Sequence, residues 1–277
     1  ATKEAGKALA EALAANSVLK ELDVSSNGWS GTYTDGRGAG GKADGPGFAK
    51  ELAVGLSAND GALTSLHVGN NNIPVKNMNE IIAIVEAKPT MKLLCAVPFR
   101  DKTITELDVS GQSLGVEGAL VIRRYLENNG ALAKLIFGGD KNSHHNGSKG
   151  VTPAPAMLEV GMTEADFSSK GLGAPGAIIV AAWISHKDNG ALVKFNISKN
   201  NLCAGGGKAV AAALKNNQVI QELNISGNAL IYKWQPVIFI EGGKVEVDYK
   251  GQGKYYPGKI SQKRLNGTYD IAYDDGD

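Results

Sequence analysis

An apolar pattern that returns every 28 to 30 residues constrains the fold of this chain more than any other feature. Its clearest copy runs from Ile220 to Leu230, with apolar residues at positions 220, 223, 225 and 230 and an asparagine at position 228. The other copies start at Leu19, Leu63, Ile104 and Leu192, and in weaker form at Met91, Leu132 and Met162. Such a period is typical of a chain that stacks similar units, each burying its apolar face against its neighbours.

Each unit is predicted to contain one short strand and one helix. The apolar residues of 3–16 fall on one helical stripe, and the segment Leu19 to Val24 has the pattern of a strand. A unit of 28 residues has room for a complete α-helix after its strand. The sequence therefore predicts an α/β solenoid over residues 1–230, with a curved parallel sheet inside and helices outside.

Two segments carry a resemblance to a known family. They are G-K-A-L-A-E-A-L-A-A-N-S-V-L-K-E-L-D-V-S-S-N at 6–27 and G-G-K-A-V-A-A-A-L-K-N-N-Q-V-I-Q-E-L-N-I-S-G-N at 206–228. Both resemble the leucine-rich repeat of the ribonuclease-inhibitor type, and the resemblance covers about residues 3–230. Repeats of this type serve inhibitors, immune receptors, actin regulators and a GTPase-activating protein. The resemblance therefore implies a fold and a binding scaffold without choosing a partner.

Three segments interrupt the period. Residues 28–47 form a glycine-rich insertion, which is expected to project as a loop. The copy that starts at Met91 is only 13 residues long, so it is expected to keep a strand at 92–97 and to lose its helix. Residues 138–159 fill a helix position with Gly, Ser, Pro and Asn, and an irregular loop with one short helical turn is expected there.

After Leu230 the composition changes, which predicts a connector at 231–243 and a small antiparallel β unit at 244–277. Its alternating segments K-V-E-V-D-Y, K-Y-Y-P-G-K-I and T-Y-D-I-A-Y are separated by glycine-containing turns, and Asn266-Gly267 is a hairpin signal. Together they resemble the opening of a Tudor-type SH3-like barrel without its last two strands. The resemblance implies an aromatic cage for a methylated lysine. The cage residues would be Tyr249, Tyr256, Tyr273 and Asp275.

The residues that flank the inner strand leucines are expected to face the concave side of the solenoid. The candidate binding residues there are Glu21, Asp23, His67, Glu106, Asp108, Lys134, Glu164, Asp166, Lys194 and Glu222. The same columns include Leu93, Cys95 and Val97. Carboxylates outnumber lysines, so one interpretation is an acidic groove that attracts a basic partner. The other is that the repeated E-L-D-V-S motif simply stays solvated.

Other classes of protein find little support in the sequence. Nucleophile-elbow, zincin, kinase and dinucleotide signatures are absent from it, so we expect no enzyme, catalytic residue or cofactor. His144 and His145 lack further ligands at metal-binding spacing, so no metal site is expected. The net charge of +1 disfavours a dominant attraction to nucleic acid. No apolar run of about 18 residues exists to cross a membrane.

The predicted function is a non-catalytic scaffold that binds protein partners through the concave face and the loops. Two alternatives remain open: a methyl-lysine reader that uses the tail, and a structural module that self-associates through the tail's open strand edges. The chain opens without a secretion signal, and Cys95 and Cys203 are expected to be buried and unpaired. An intracellular location, cytoplasmic or nuclear, is therefore expected.

Overall fold

The computed structural model describes residues 2–27, 44–138, 154–186, 191–228, 230, 244–248, 255–264 and 269–273. These residues form a mixed α/β structure with small sheets, which confirms the predicted class at that level. The chain divides into two compact units, Ala1–Ile231 and Tyr232–Asp277. Among the described helices, none has the length and apolar character needed to span a membrane. The predicted connector at 231–243 lies outside the described residues.

Short strands and longer helices follow one another along the first unit. The described helices are α1 (Lys3–Ala15), α2 (Gly45–Ala58), α3 (Val75–Ala87), α4 (Gly115–Asn128), α5 (Gly173–Ile184) and α6 (Cys203–Leu214). The described strands are β1 (Glu21–Asp23), β2 (Ser65–His67), β3 (Leu93–Leu94), β4 (Glu106–Asp108), β5 (Lys134–Phe137), β6 (Ala156–Glu159), β7 (Glu164–Asp166), β8 (Lys194–Asn196) and β9 (Glu222–Asn224).

These strands form three sheets of three strands each. In the first sheet β1, β2 and β3 are parallel, with Leu22 opposite Leu66 and Leu66 opposite Leu94. The third sheet is also parallel and has the order β7, β8, β9. In the second sheet β4 is parallel to β5, but β6 is antiparallel to β5. The predicted parallel arrangement is thus present in part.

The core lies between the strands and the helices. Leu66 and Leu135 are fully buried, whereas the residues on either side of Leu66 are partly exposed. This alternation follows from the two-residue period of a strand. The buried strand residues belong to one cluster with helix residues such as Leu52 in α2 and Ile122 in α4. The helices therefore cover one side of the sheets.

Small residues let α1 and α2 approach closely. A β-carbon at Gly55 would lie 2.5 Å from Cα of Ala10, and one at Gly6 would lie 3.0 Å from Cα of Phe48. Helix α2 begins inside the predicted loop at 28–47, because the side chain of Asp44 accepts a hydrogen bond from the backbone N–H of Gly47. Asp44 thereby satisfies one of the free N–H groups of the first helical turn.

Within the first unit, buried asparagines link the strand ends of successive copies of the pattern. The Asn71 side-chain amide donates to the carbonyl of Val24 at 2.7 Å, and its oxygen accepts from the backbone N–H of Asn27 at 3.1 Å. In the same way, Asn228 accepts from the backbone N–H of Asn200 at 2.7 Å. These four asparagines occupy the asparagine position of the sequence pattern.

Glu117 takes over this role where the copy that starts at Ile104 has Gln112 instead of asparagine. Its carboxylate is 1% exposed. It accepts hydrogen bonds from the backbone N–H groups of Asn70 at 3.0 Å, Asn71 at 3.0 Å and Ile73 at 2.8 Å. Burial of a carboxylate is costly without such partners, and here three donors compensate for the lost water.

The strand predicted at 92–97 is wrong beyond Leu94. Cys95 and Ala96 have φ angles of 48° and 62°, and Leu94 and Val97 form an antiparallel bridge. Positive φ at both central residues is the geometry of a type I′ turn, which reverses the chain. Cys95 and Val97 are therefore fully buried and do not face outward as expected. No helix forms between β3 and β4 among the described residues, as predicted.

The irregular loop predicted at 138–159 is wrong at its C-terminal end. Residues Ala156–Glu159 form β6, which pairs antiparallel with β5 so that Leu158 lies opposite Leu135. Leu158 and Ala156 are buried, and the alternating A-M-L-E sequence places Met157 on the opposite side. Residues 139–153 lie outside the described part of the chain.

The described part of the second unit is an antiparallel sheet with the order β10, β11, β12. The strands are β10 (Lys244–Asp248), β11 (Tyr255–Lys263) and β12 (Tyr269–Tyr273). Strands β11 and β12 pair on either side of Asn266-Gly267, and a register shift falls between Ile260 and Gln262. The described strands do not close into a barrel.

Candidate protein-interaction face

The candidate site is the side of the three sheets of the first unit that faces away from the helices. We call it the exposed strand face, and all its members are at least partly exposed. It consists of Glu21, Asp23, Ser65, His67, Leu93, Glu106, Asp108, Lys134, Ile136, Met157, Glu159, Glu164, Asp166, Lys194, Asn196, Glu222 and Asn224. All ten candidate binding residues predicted for the concave side lie on this face, whereas Cys95 and Val97 of the same columns are buried.

In the second sheet, a lysine lies between two glutamates. Lys134 lies opposite Glu106 on one neighbouring strand and opposite Glu159 on the other. Its Nζ is 3.1 Å from Glu106 Oε1 and 3.8 Å from Glu159 Oε1. The hydrogen bond to Glu106 raises the pKa of Lys134 above its ordinary value. The lysine is therefore held by its own sheet, and this row of three keeps a net negative charge.

The third sheet repeats the arrangement. Lys194 lies opposite Glu164 and Glu222, and its Nζ is 3.6 Å from a carboxylate oxygen of each. Exposed ion pairs of this kind contribute only about 0–1 kcal/mol to stability. Their main consequence is the surface charge, because each row presents two carboxylates for one ammonium group to a binding partner.

Aspartates end three of the strands in the same way. Asp23, Asp108 and Asp166 each accept a hydrogen bond from the backbone N–H two residues later, at 2.8, 2.9 and 2.8 Å. Hydrogen bonds from the backbone and the hydroxyl of Ser168 lower the pKa of Asp166. The pKa of Asp23 is lowered as well. Partial burial acts to raise it, but the hydrogen bonds from the backbone and hydroxyl of Ser25, together with the electrostatic effect of His67, outweigh burial.

His67 serves as a link within the chain. Its Nδ1 accepts from the backbone N–H of Gly69 at 3.2 Å, and its Nε2 lies 3.0 Å from the carbonyl oxygen of Gln112, to which it donates. Gln112 belongs to the copy that starts at Ile104, so His67 reaches past the shortened copy that starts at Met91. His67 therefore has a structural role within the chain in addition to its predicted role as a contact for a partner.

The predicted aromatic cage is only partly within the described residues. Tyr249 and Asp275 lie outside them. Tyr256 lies opposite Val247 in the β10–β11 pair, and Tyr273 lies opposite Gly258 in the β11–β12 pair. The register therefore puts Tyr256 and Tyr273 at diagonal positions of neighbouring strands, two residues apart along β11.

No metal site is evident in the part of the chain that the structure describes, where no group of three or more His, Cys, Asp or Glu could hold an ion. Both cysteines are free. Cys95 is buried, and burial raises the pKa of its thiol to about 12. The predicted burial of Cys203 is wrong, because this residue is exposed at the start of α6 with a φ of 56°.

Sequence reasoning missed two residues of the exposed strand face, Met157 and Glu159. Both belong to β6, in a segment rich in residues that break regular structure. The available signal was the alternation of Ala156, Met157, Leu158 and Glu159, which fits a strand with one buried side. The nearby Gly, Ser and Pro residues concealed it.

Comparison with protein-family models and with curated proteins found no match to this chain. A functional assignment therefore depends on the residues and contacts of the chain itself.

Proposed function

We propose that residues 1–230 form a leucine-rich-repeat solenoid of the ribonuclease-inhibitor type. Four observations support this proposal. The strands lie at the copies of the sequence pattern, most of their pairs are parallel, and helices cover one side of the sheets. Buried asparagines such as Asn71 and Asn200 join successive units at the strand ends. In a solenoid, these links repeat once for each unit.

We further propose that the chain is a non-catalytic scaffold that binds a protein partner on the exposed strand face. The observation that carries this proposal is the surface left open by the helices. Its outward residues are mostly charged, and its carboxylates outnumber Lys134 and Lys194, each of which lies between two glutamates. Complementary charge speeds association and selects partners, so a basic protein segment is the favoured partner.

A charge-reversal experiment on the full chain tests this function. The probe is a fluorescent lysine-rich peptide, titrated at low and at physiological salt. The face variant carries Glu106→Lys, Asp108→Lys and Glu164→Lys. The matched control carries Glu4→Lys, Glu11→Lys and Glu80→Lys, three exposed glutamates on helices with the same total change in charge.

The face variant is expected to bind the peptide roughly tenfold more weakly at low salt, because each exposed charge contributes up to about 1 kcal/mol. The control is expected to lose less, and the difference between the two is expected to shrink as salt rises. Equal affinity of the face variant and the control would refute binding on the exposed strand face.

A second candidate function is recognition of methylated lysine by the tail. The diagonal register of Tyr256 and Tyr273 favours it, since two aromatic residues on neighbouring strands can contribute to one cage. Its test is a titration of the full chain with a trimethyl-lysine peptide and its unmethylated form. Equal binding of the two peptides, or no effect of Tyr273→Ala, would argue against a reader.

Self-assembly through the tail's strand edges is a third proposal, since β10 and β12 each pair with only one strand in the described sheet. Light scattering of the full chain measures it directly. A mass of two or more chains would support assembly, and the mass of one chain at high concentration would exclude it.

A further inference from the structure

Three apolar residues lie on the otherwise polar exposed strand face: Leu93 in the first sheet, opposite Ser65, and Ile136 and Met157 in the second sheet. In the second and third sheets, the outward residues are charged or amide side chains except for Ile136 and Met157. These two residues are directly opposite each other in the β5–β6 pair. Opposite residues of neighbouring strands have adjacent side chains, so the two form one apolar spot. We call it the 136/157 spot.

The 136/157 spot is accessible to a partner. Met157 is 39% exposed. Ile136 is partly exposed. The fold leaves this methionine on the surface because β6 buries its alternate residues Ala156 and Leu158. Methionine is enriched at protein interfaces, where its flexible thioether adapts to the shape of a partner.

Negative charge borders the 136/157 spot. Asp108 lies opposite Ile136 on the other side of β5. The next row of the same sheet holds Lys134 between Glu106 and Glu159, both within 4 Å of its ammonium group. An apolar centre with a charged border is the usual organisation of a protein interface, in which the centre loses its water and contributes most of the affinity.

We propose that the 136/157 spot is the anchor point of the exposed strand face, and that it binds a protein segment with adjacent apolar residues flanked by lysine or arginine. This inference rests on the proposed function and specifies its partner. The apolar residues of the segment contact Ile136 and Met157. The flanking cations lie near Asp108, about one strand spacing or roughly 5 Å across the sheet, and near the glutamates of the neighbouring row, roughly 7 Å along the strands.

The test uses two labelled peptides of equal charge and the full chain. One peptide is Lys-Lys-Leu-Phe-Lys-Lys, and the other has Ser-Ser in place of Leu-Phe. The variants are Met157→Ser and Ile136→Thr, of which the second keeps a β-branched residue in the strand. The matched control is Val54→Ser on α2, an apolar residue that is 58% exposed outside the exposed strand face.

The Leu-Phe peptide is expected to bind the wild-type chain at least about fivefold more tightly than the Ser-Ser peptide, as an anchor residue requires. Met157→Ser and Ile136→Thr are each expected to reduce or remove this preference, while Val54→Ser keeps it. Circular dichroism confirms that the variants are folded.

Two outcomes would overturn the inference. Equal affinity of the two peptides for the wild-type chain, or a preference that survives both variants, would exclude the anchor but leave a purely electrostatic face. Absence of binding by either peptide at low salt would exclude both the anchor and the basic partner proposed above.

Discussion

Glu117→Gln is expected to lower the free energy of unfolding by about 2–4 kcal/mol. The carboxylate is 1% exposed and accepts three backbone hydrogen bonds of 2.8 to 3.0 Å. A glutamine oxygen in place of Oε1 keeps the bonds from Asn71 and Ile73, but as neutral bonds that are each about 1 kcal/mol weaker.

The amide nitrogen of glutamine, in place of Oε2, would face the backbone N–H of Asn70. Two donors would then oppose each other in a buried site, which costs about 1–3 kcal/mol. The smaller desolvation cost of a neutral amide offsets part of the total. The isosteric change leaves packing intact, so the loss reports the hydrogen bonds to Glu117.

Urea unfolding followed by far-UV circular dichroism measures the change, as a lower midpoint with an unchanged slope. The matched control is Glu127→Gln on the same helix, where the exposed carboxylate pairs with Arg123 at 3.0 Å. Its expected effect is within about 0.5 kcal/mol. Hydrogen exchange at Asn70 and Ile73 is expected to accelerate in the Glu117 variant alone. A loss under about 1 kcal/mol, or equal to that of the control, would refute the reasoning.

Two further predictions concern helix packing and pH. Gly55→Ala is expected to destabilise the folded chain by about 1–3 kcal/mol, because the new methyl group meets Ala10. Gly205→Ala is expected to stabilise it by about 0.5–1 kcal/mol, because the new methyl group enters open space on a helix. Equal effects of the two variants in thermal unfolding would contradict this. The lowered pKa of Asp166 contributes stability above pH 3.8 that is lost as pH falls. Asp166→Asn is therefore expected to reduce the fall in Tm between pH 6 and pH 3, and an unchanged pH profile would exclude the contribution of Asp166.

The repeating pattern predicted many of the local elements. Leu66, Phe195 and Leu223 lie at the centres of strands where the pattern places them, because the two-residue period of a strand is a local property. Asn200 and Asn228 occupy the asparagine position of the pattern, and the structure shows that they join strand ends there. The mixed α/β class follows from these local periods, and the exposed strand face follows from the residues between the buried ones.

The departures from the pattern could not be predicted in the same way. The turn at Cys95-Ala96 uses positive φ at two residues that rarely adopt it, and it persists because the surrounding structure holds it. Sequence gave no sign that Glu117 would replace an asparagine, because its partners, Asn70, Asn71 and Ile73, are more than 40 residues away.

The amino-acid sequence by itself determined the strand–helix alternation, the apolar residue at the centre of the repeated strands and the acidic character of the exposed strand face. These follow from local periodicity and composition. Only the tertiary structure decided that β6 adds an antiparallel strand and that Met157 lies opposite Ile136. Strand pairing depends on contacts between segments that are distant in sequence. The backbone donors and acceptors at the free edge of β5 need hydrogen-bond partners, and β6 supplies them only in the folded chain.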